Sequence, residues 1–235
     1  MTDATHLQDP YLRKLIKTKK QIALIPVGSI EQHGPHLPVS TDSDIVSEIA
    51  YRISERSGFL MLPTIKYGIS FEHTPFFNVS ITKTTLQKIL VELCISLLKN
   101  KIKTIIILNG HHGNQSALHN IPRKVHSISK GKVKVFVFSY WDFMKRDFDH
   151  AGFVETSIML AISKKVRMKK VVKGFTTDGL STKQKRRINK LAAKSFISVT
   201  KNGVWGDPRN ATSKEGKKIL SEIVQTFLKE SNLAH

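Results

Sequence analysis

Short apolar runs that alternate with longer amphipathic segments restrict the fold of this chain most strongly. Three runs are typical of buried strands, because they are short, rich in β-branched residues and followed by polar residues or glycine: QIALIPVGS (21–29), KTIIILNG (103–110) and KVKVFVFSYWDF (132–143). Segments with helical spacing follow them or lie between them: 43–56, 84–101, 115–130, 153–165 and 213–230. This alternation predicts an α/β fold, with a mostly parallel central sheet and helices on both faces in a three-layer α/β/α arrangement.

Capping residues and proline indicate where some helices begin or end. The role of one segment stays undecided. Ser43 or Asp44 is a candidate N-cap of the first long helix, and Thr212 or Ser213 of the last one. Pro122 is an awkward interior residue for the predicted helix 115–130. The stretch 166–210 has the least regular pattern, and it is either a lid or a contact between copies of the chain.

Length and composition favour one soluble domain. The 235 residues, 40% of them hydrophobic, suffice for one core, so we expect a single domain over 1–235. The lone cysteine, Cys94, excludes an intramolecular disulfide, and its helix-like surroundings favour a buried thiol over a nucleophile. The polar N-terminal segment and the lack of an apolar run near ~20 residues predict a cytoplasmic protein without a membrane partner.

The charge balance points to anionic partners. The formal net charge is +20, with the densest basic stretch at 164–190. A solvated lysine-rich surface explains such a stretch, and so does attraction of a phosphorylated small molecule. Zinc-finger spacing and aromatic RNA-binding signatures do not accompany the charge, which disfavours nucleic acid as the partner.

The polar loops after the predicted strands carry the residues that point to chemistry. EQHGPHLPVSTD (31–42), NGHHGN (109–114) and DFMKRDFDHAGFVETS (142–157) each follow a strand. In a parallel sheet, the carboxyl ends of the strands form one edge, where sites assemble. Together the loops supply these imidazole and carboxylate groups: Glu31, His33, His36, Asp42, His111, His112, His150 and Glu155.

This donor set consists of oxygen and imidazole nitrogen without thiolate, which suits Zn²⁺, Mn²⁺ or Fe²⁺. A histidine in a single loop is more often a surface residue than a ligand. Three such loops at successive strand ends instead favour a metal site. A carboxylate shared by two ions would make it a two-metal hydrolytic centre.

Four motifs, in order along the chain, closely resemble the creatininase family: GSIEQHGPHLPVSTD, NGHHGN, HAGFVETS and GVWGDPRNAT. The resemblance extends from about residue 20 to 220. It implies a metal-dependent amidohydrolase on a three-layer α/β fold with two divalent ions per subunit. The family includes creatinine amidohydrolase, a peptidase that trims a peptide-derived redox cofactor precursor, and an archaeal formamidopyrimidine-ribonucleotide deformylase. Its members commonly form homo-oligomers, often hexamers.

Carried onto this chain, the resemblance implies roles for individual residues. Glu31 and His111 would bind one ion, His33 would bind the other, and Asp42 would bridge the two. Glu155 or a water would complete the second site, and Glu155 also points at the reacting centre. His150 would sit beside the scissile group as an acid and base, for which its ordinary pKa of ~6.5 is suitable.

Further residues have two interpretations each. Gln32, Asn109 and Asn114 either hold ligands in orientation or form turns. His36 and His112 either face the substrate or support the ligands.

The roles of Glu72, His73 and Trp205 also have two interpretations each. Glu72 and His73 either join the rim of the substrate pocket or belong to a polar connection, and Trp205 is either a lid aromatic or a packing residue. All three are candidate substrate-binding residues.

The same resemblance limits the substrate. Creatinine-hydrolysing members carry a metal-binding glutamate where this chain has Gly113, which disfavours creatinine. Deformylation of a formamidopyrimidine ribonucleotide is the favoured specific hypothesis, since a basic chain suits a phosphorylated small molecule. Creatinine amidohydrolase and a family peptidase are the enzymatic alternatives, and a basic nucleic-acid-binding protein with a decayed metal site is the non-enzymatic one.

Overall fold

The computed structural model of the chain describes residues 3–18 and 21–231. The strands are β1 (Ile22–Val27), β2 (Leu60–Met61), β3 (Thr104–Asn109) and β4 (Lys134–Ser139). The α-helices are α1 (Asp9–Thr18), α2 (Thr41–Ser57), α3 (Lys83–Lys99), α4 (Gln115–Leu118), α5 (Ile121–Ile128), α6 (Phe153–Ile162), α7 (Thr182–Ala192), α8 (Phe196–Thr200) and α9 (Ser213–Glu230).

The strands form one parallel sheet in the order β2-β1-β3-β4 within the described residues. Pairing in register brings Val27 beside Asn109 and Asn109 beside Ser139. The carboxyl ends of β1, β3 and β4 therefore meet at one edge of the sheet. The loops that follow these strands are the ones that carry the predicted ligands.

Alternate residues of each strand point into two separate cores. Leu24 and Ile106 face the core beside α2, α6 and α9, whereas Ile25 and Ile107 face the core beside α3 and α5. A period of two along each strand produces this separation. The two cores sandwich the sheet, which confirms the predicted three-layer α/β/α fold.

The predicted helices are present, with some corrections at their ends. Helix α2 begins at Thr41 with Ser40 as N-cap, so the predicted N-caps Ser43 and Asp44 are wrong. The segment 115–130 divides into α4 and α5, because Pro122 occupies the first turn of α5, where proline is tolerated. Thr212 caps α9 through its side chain, as one of the two interpretations predicts.

Helices α1, α7 and α8 are additions to the predicted set. Helices α7 and α8 lie within 166–210, the segment whose pattern was least regular. The buried Cys94 thiol packs in the core beside α3, and burial raises its pKa to about 12. Over the described ranges, none of the helices combines the length and apolarity needed to cross a membrane.

Candidate metal centre

Asp42 stands between two histidines that come from different loops. It lies in the first turn of α2, and its Oδ1 is 3.1 Å from Nε2 of His33. Its Oδ2 is 3.1 Å from Nδ1 of His111, which follows β3. All three residues are at most 4% exposed. The two oxygens of one carboxylate therefore face two separate imidazoles.

Two triads of potential ligands share this carboxylate. Glu31, Asp42 and His111 form the first triad, and their ligand atoms lie within 4.8 Å of one another. His33, Asp42 and Glu155 form the second triad within the same limit. The arrangement is a pair of adjacent three-ligand sites with Asp42 in common.

Several buried carboxylate oxygens lack hydrogen bonds. Among the described residues, both oxygens of Glu31, Oδ2 of Asp42 and Oε1 of Glu155 are buried without such a partner. The histidine nitrogens beside them are at ion-pair distance but are not aligned for hydrogen bonding. Buried unpaired carboxylates are costly, and divalent cations would satisfy them. The donor set and its unsatisfied oxygens thus fit two metal ions.

Backbone carbonyl groups assign the tautomers of the two bridged histidines. Nδ1 of His33 lies 3.1 Å from the Glu31 carbonyl oxygen, and Nε2 of His111 lies 2.8 Å from the Ile69 carbonyl oxygen. Each contact requires an N–H donor on that nitrogen. The other nitrogens, His33 Nε2 and His111 Nδ1, therefore face Asp42, and once deprotonated they offer the lone pairs that metal ligation needs.

The electrostatics of the cluster reflect its surplus of carboxylates. Burial alone would lower the pKa of His33, but Asp42 and Glu155 outweigh burial and raise it to about 10. Glu31 and Asp42 likewise raise the pKa of His111 to about 10 against the effect of burial. Burial raises the pKa of Glu155 to about 8, although His33 opposes it. The site therefore attracts positive charge, whether protons or metal ions.

His150 stands at the wall of the cluster as a neutral imidazole. Its ring stacks on His33 with 4.2 Å between centroids, and its Nδ1 is 3.7 Å from Oε1 of Glu31. Burial and the neighbouring His33 and His73 hold its pKa well below the ordinary value. A neutral imidazole at this position can accept a proton on one nitrogen while it donates from the other.

A cavity of about 590 Å³ opens onto the cluster. Of the candidate substrate-binding residues, Glu72, His73, His112 and Trp205 line it. The lining also contains groups that the sequence interpretation missed: Trp141, Phe148, Lys185, Asn189 and Phe196. Lys185 and Asn189 come from α7, and no motif in the sequence signals their position.

His36 does not belong to the cavity lining. It is buried, its Nε2 is 2.9 Å from the Thr156 hydroxyl, and its pKa is lowered to about 4 by burial and by His33. This placement does not support contact with substrate. The position fits the other interpretation, in which His36 packs behind the ligands.

The two candidate asparagines bond to the loops that carry ligands. Asn109 Oδ1 accepts a hydrogen bond from the His111 backbone N–H over 3.1 Å. Asn114 Oδ1 accepts one from the Ile69 N–H, and its Nδ2 donates to the Gly28 carbonyl, each over 3.0 Å. Asn109 thus holds the backbone of His111 directly. Asn114 ties the loop that contains His111 to the backbone of Gly28 and Ile69.

A family model described as creatinine amidohydrolase, of the creatininase family, matches residues 5–230. The chain belongs to the creatininase family. Creatininase-family members are amidohydrolases, and this chain is a hydrolase that acts on carbon–nitrogen bonds.

Individual creatininase-family proteins show how far the similarity extends. A mycofactocin precursor peptide peptidase of Mycolicibacterium smegmatis is 36% identical over 86% of this chain and 81% of its own length. A 2-amino-5-formylamino-6-ribosylaminopyrimidin-4(3H)-one 5'-monophosphate deformylase of Methanothermus fervidus is 27% identical over 89% and 83%. A solved mutant creatininase of Zn–Zn type, 22% identical, covers 97% of this chain and 98% of its own with a TM-score of 0.79, which shows the shared fold.

Proposed function

We propose that this chain hydrolyses an amide-type C–N bond with two divalent metal ions, one in each triad. The observation that carries the proposal is the position of Asp42, whose two oxygens face His33 and His111 in adjacent three-ligand groups. Zn²⁺ is the favoured ion because the ligands are imidazole and carboxylate, and because a similar solved creatininase is of Zn–Zn type. Mn²⁺ and Fe²⁺ suit the same donors.

The residues of the site have complementary tasks in this reaction. When bound, the metal ions would activate water and polarise the substrate carbonyl group. Glu31 and His111 would hold the first ion, His33 and Glu155 would hold the second, and Asp42 would contribute a ligand to each. Burial and the neighbouring histidines keep His150 neutral, so one ring nitrogen is free to take up a proton and return it to the leaving nitrogen.

For the substrate, we favour a short precursor peptide over a formamidopyrimidine ribonucleotide. The peptidase relative is 36% identical, whereas the deformylase relative is 27% identical. This ranking reverses the hypothesis drawn from the sequence, which rested on the glutamate missing at Gly113 and on the positive charge. Deformylation remains the second candidate, because a cationic side chain, Lys185, lines the cavity and suits a phosphate group.

Parallel hydrolysis assays test the proposal. Zn²⁺-loaded protein is incubated with a panel of short peptides, with the formamidopyrimidine ribonucleotide and with creatinine, and new amines, formate and creatine are measured. We expect peptide cleavage that the Asp42→Asn variant lacks. Formate release without peptide cleavage would establish the second candidate. Creatinine turnover alone would overturn both specific substrates, and no turnover by fully metal-loaded protein would overturn amide hydrolysis.

A further inference from the structure

Helix α7 contributes part of the wall of the cavity that opens onto the metal centre. Lys185 and Asn189, on the same face of α7, line the cavity together with Phe196 of the following helix. The Phe196 ring packs 4.6 Å from the His73 ring and 4.7 Å from the His150 ring, measured between centroids. This aromatic contact packs the start of α8, the helix that follows α7, against two histidines at the metal centre.

Lys185 is the only lysine or arginine among the described lining residues of the cavity. The acidic lining groups are the proposed ligands Glu31 and Asp42 together with Glu72, Asp147 and Asp149, and the lining histidines belong to or adjoin the metal centre. Lys185 has no carboxylate within salt-bridge distance in the described parts of the chain. The lining thus combines the proposed metal-binding carboxylates with one ammonium group that has no carboxylate partner among the described residues.

The surroundings of Lys185 add to its positive potential. The sequence from Gly179 to Lys201 contains no aspartate or glutamate. A second concave surface, formed by α7 and the residues directly after it, carries five cations: Lys183, Arg186, Arg187, Lys190 and Lys194. A field of one sign raises the local concentration of oppositely charged ligands. Of these α7 cations, Lys185 is the one that reaches the cavity.

We infer that Lys185 binds an anionic group of the substrate, a carboxylate or a phosphate, while the scissile amide lies at Asp42. The inference rests on the proposed amide hydrolysis and narrows its substrate class. A peptide supplies the anion through its terminal carboxylate, and a ribonucleotide supplies it through its phosphate. Creatinine carries neither group. Through this one lysine, the site would prefer an anionic amide over a neutral one.

Pairs of substrates that differ only in one anionic group test this inference. The peptide cleaved best is compared with its C-terminal amide, and the formamidopyrimidine ribonucleotide with its dephosphorylated nucleoside. For the anionic member, Lys185→Ala should raise KM by about tenfold or more, the usual effect of losing one charged hydrogen bond. For the neutral member, KM should stay unchanged. The preference for the anion should weaken as salt is added, because Lys185 is exposed.

Lys183→Ala is the matched control, since Lys183 lies on the same helix but does not line the cavity. It should leave both members of each pair unaffected. Equal KM changes for the two lysine variants, or for the anionic and neutral substrates, would overturn the inference and leave amide hydrolysis intact. If the wild type cleaves nothing, the affinities of Zn²⁺-loaded protein for the nucleotide and the nucleoside are measured by calorimetry and compared instead of KM. Equal binding by wild type and Lys185→Ala then overturns the inference.

Discussion

The side-chain amide nitrogen of Gln32, Nε2, lies 2.8 Å from Nδ1 of His73. The opposite end of that amide, Oε1, accepts a hydrogen bond from the Gly34 backbone N–H over 2.9 Å, which fixes its orientation. Gln32 must therefore donate to Nδ1, and the proton of a neutral His73 is on Nε2. That nitrogen lies 3.1 Å from Oε1 of Glu31. His73 accordingly presents an N–H group beside the first metal triad.

The Gln32→Glu variant should reverse this contact. A carboxylate accepts from Nδ1 instead of donating to it, so His73 would become protonated on Nδ1. We expect kcat to fall by roughly a hundredfold, the scale of one misplaced proton donor, with a changed pH profile. Nitrogen-15 NMR of the histidine rings should show the Nε2–H tautomer in the wild type and its loss in the variant.

Two variants of His73 separate hydrogen bonding from packing. His73→Gln retains an N–H donor at the end of the side chain, whereas His73→Leu keeps only bulk against Phe196. The glutamine variant should preserve more activity than the leucine variant at equal metal content. Equal activities of the two variants, or an Nδ1–H tautomer in the wild type, would contradict the assigned role.

Removal of the shared carboxylate should affect both ions together. Asp42→Asn takes a charged ligand from each triad, so metal content should fall from about two ions per chain to nearly none at micromolar metal. Glu155→Gln alters only the second triad and should leave about one ion per chain. Inductively coupled plasma mass spectrometry after dialysis measures both. Retention of one ion by Asp42→Asn would show that Asp42 does not bridge.

The sequence predicted the sheet and the main ligand loops because both follow from local patterns. The run Ile105–Leu108 contains three consecutive β-branched residues and is buried on both faces, which is typical of a central parallel strand. Once β1, β3 and β4 are parallel, their following loops must meet at one edge. The proximity of Glu31, His111 and His150 in space is a consequence of that topology.

Other parts of the site depend on contacts distant in sequence. Helix α7 has few apolar residues and is mostly exposed, so hydrophobic periodicity gives little sign of it or of the cavity wall that it forms. His73 lies in a short 3₁₀ turn, Phe71–His73, and only its burial beside Gln32 and Phe196 reveals its place. Helix α2 starts at Thr41, two residues before the predicted segment, and its first two residues are buried.

The stability of the metal-free protein should decline as pH rises above neutrality. The pKa values of His33 and His111 are raised from 6.5 to about 10, so their stabilising protonation is complete below about pH 6.5 and is lost toward pH 10. Glu155, with its pKa raised from 4.5 to about 8, contributes in the same direction between those values. Calorimetry in a chelator should therefore give a lower Tm at about pH 9 than at about pH 6.5.

Zn²⁺ should reverse this pH dependence. Metal ions compete with the protons on His33 and His111, and fewer protons must be displaced at higher pH. The gain in Tm on adding Zn²⁺ should consequently be larger at about pH 9 than at about pH 6.5. A flat Tm in the chelator across this range would show that the carboxylates do not raise the two histidine pKa values.

Gly113 should tolerate no side chain, because its neighbours are the atoms that hold His111. A methyl group at this position would collide with the Ile69 carbonyl oxygen and lie 2.5 Å from Nε2 of His111, the two atoms of one hydrogen bond. Gly113→Ala should therefore weaken binding of one of the two ions by about 10–100-fold, as loss of such supporting bonds typically does. Titration with Zn²⁺ should resolve one weakened and one unchanged site. Ser116→Ala, an exposed change on α4, is the control and should bind both ions like the wild type. Unchanged affinity at both sites of Gly113→Ala would show that the Ile69 carbonyl does not orient His111.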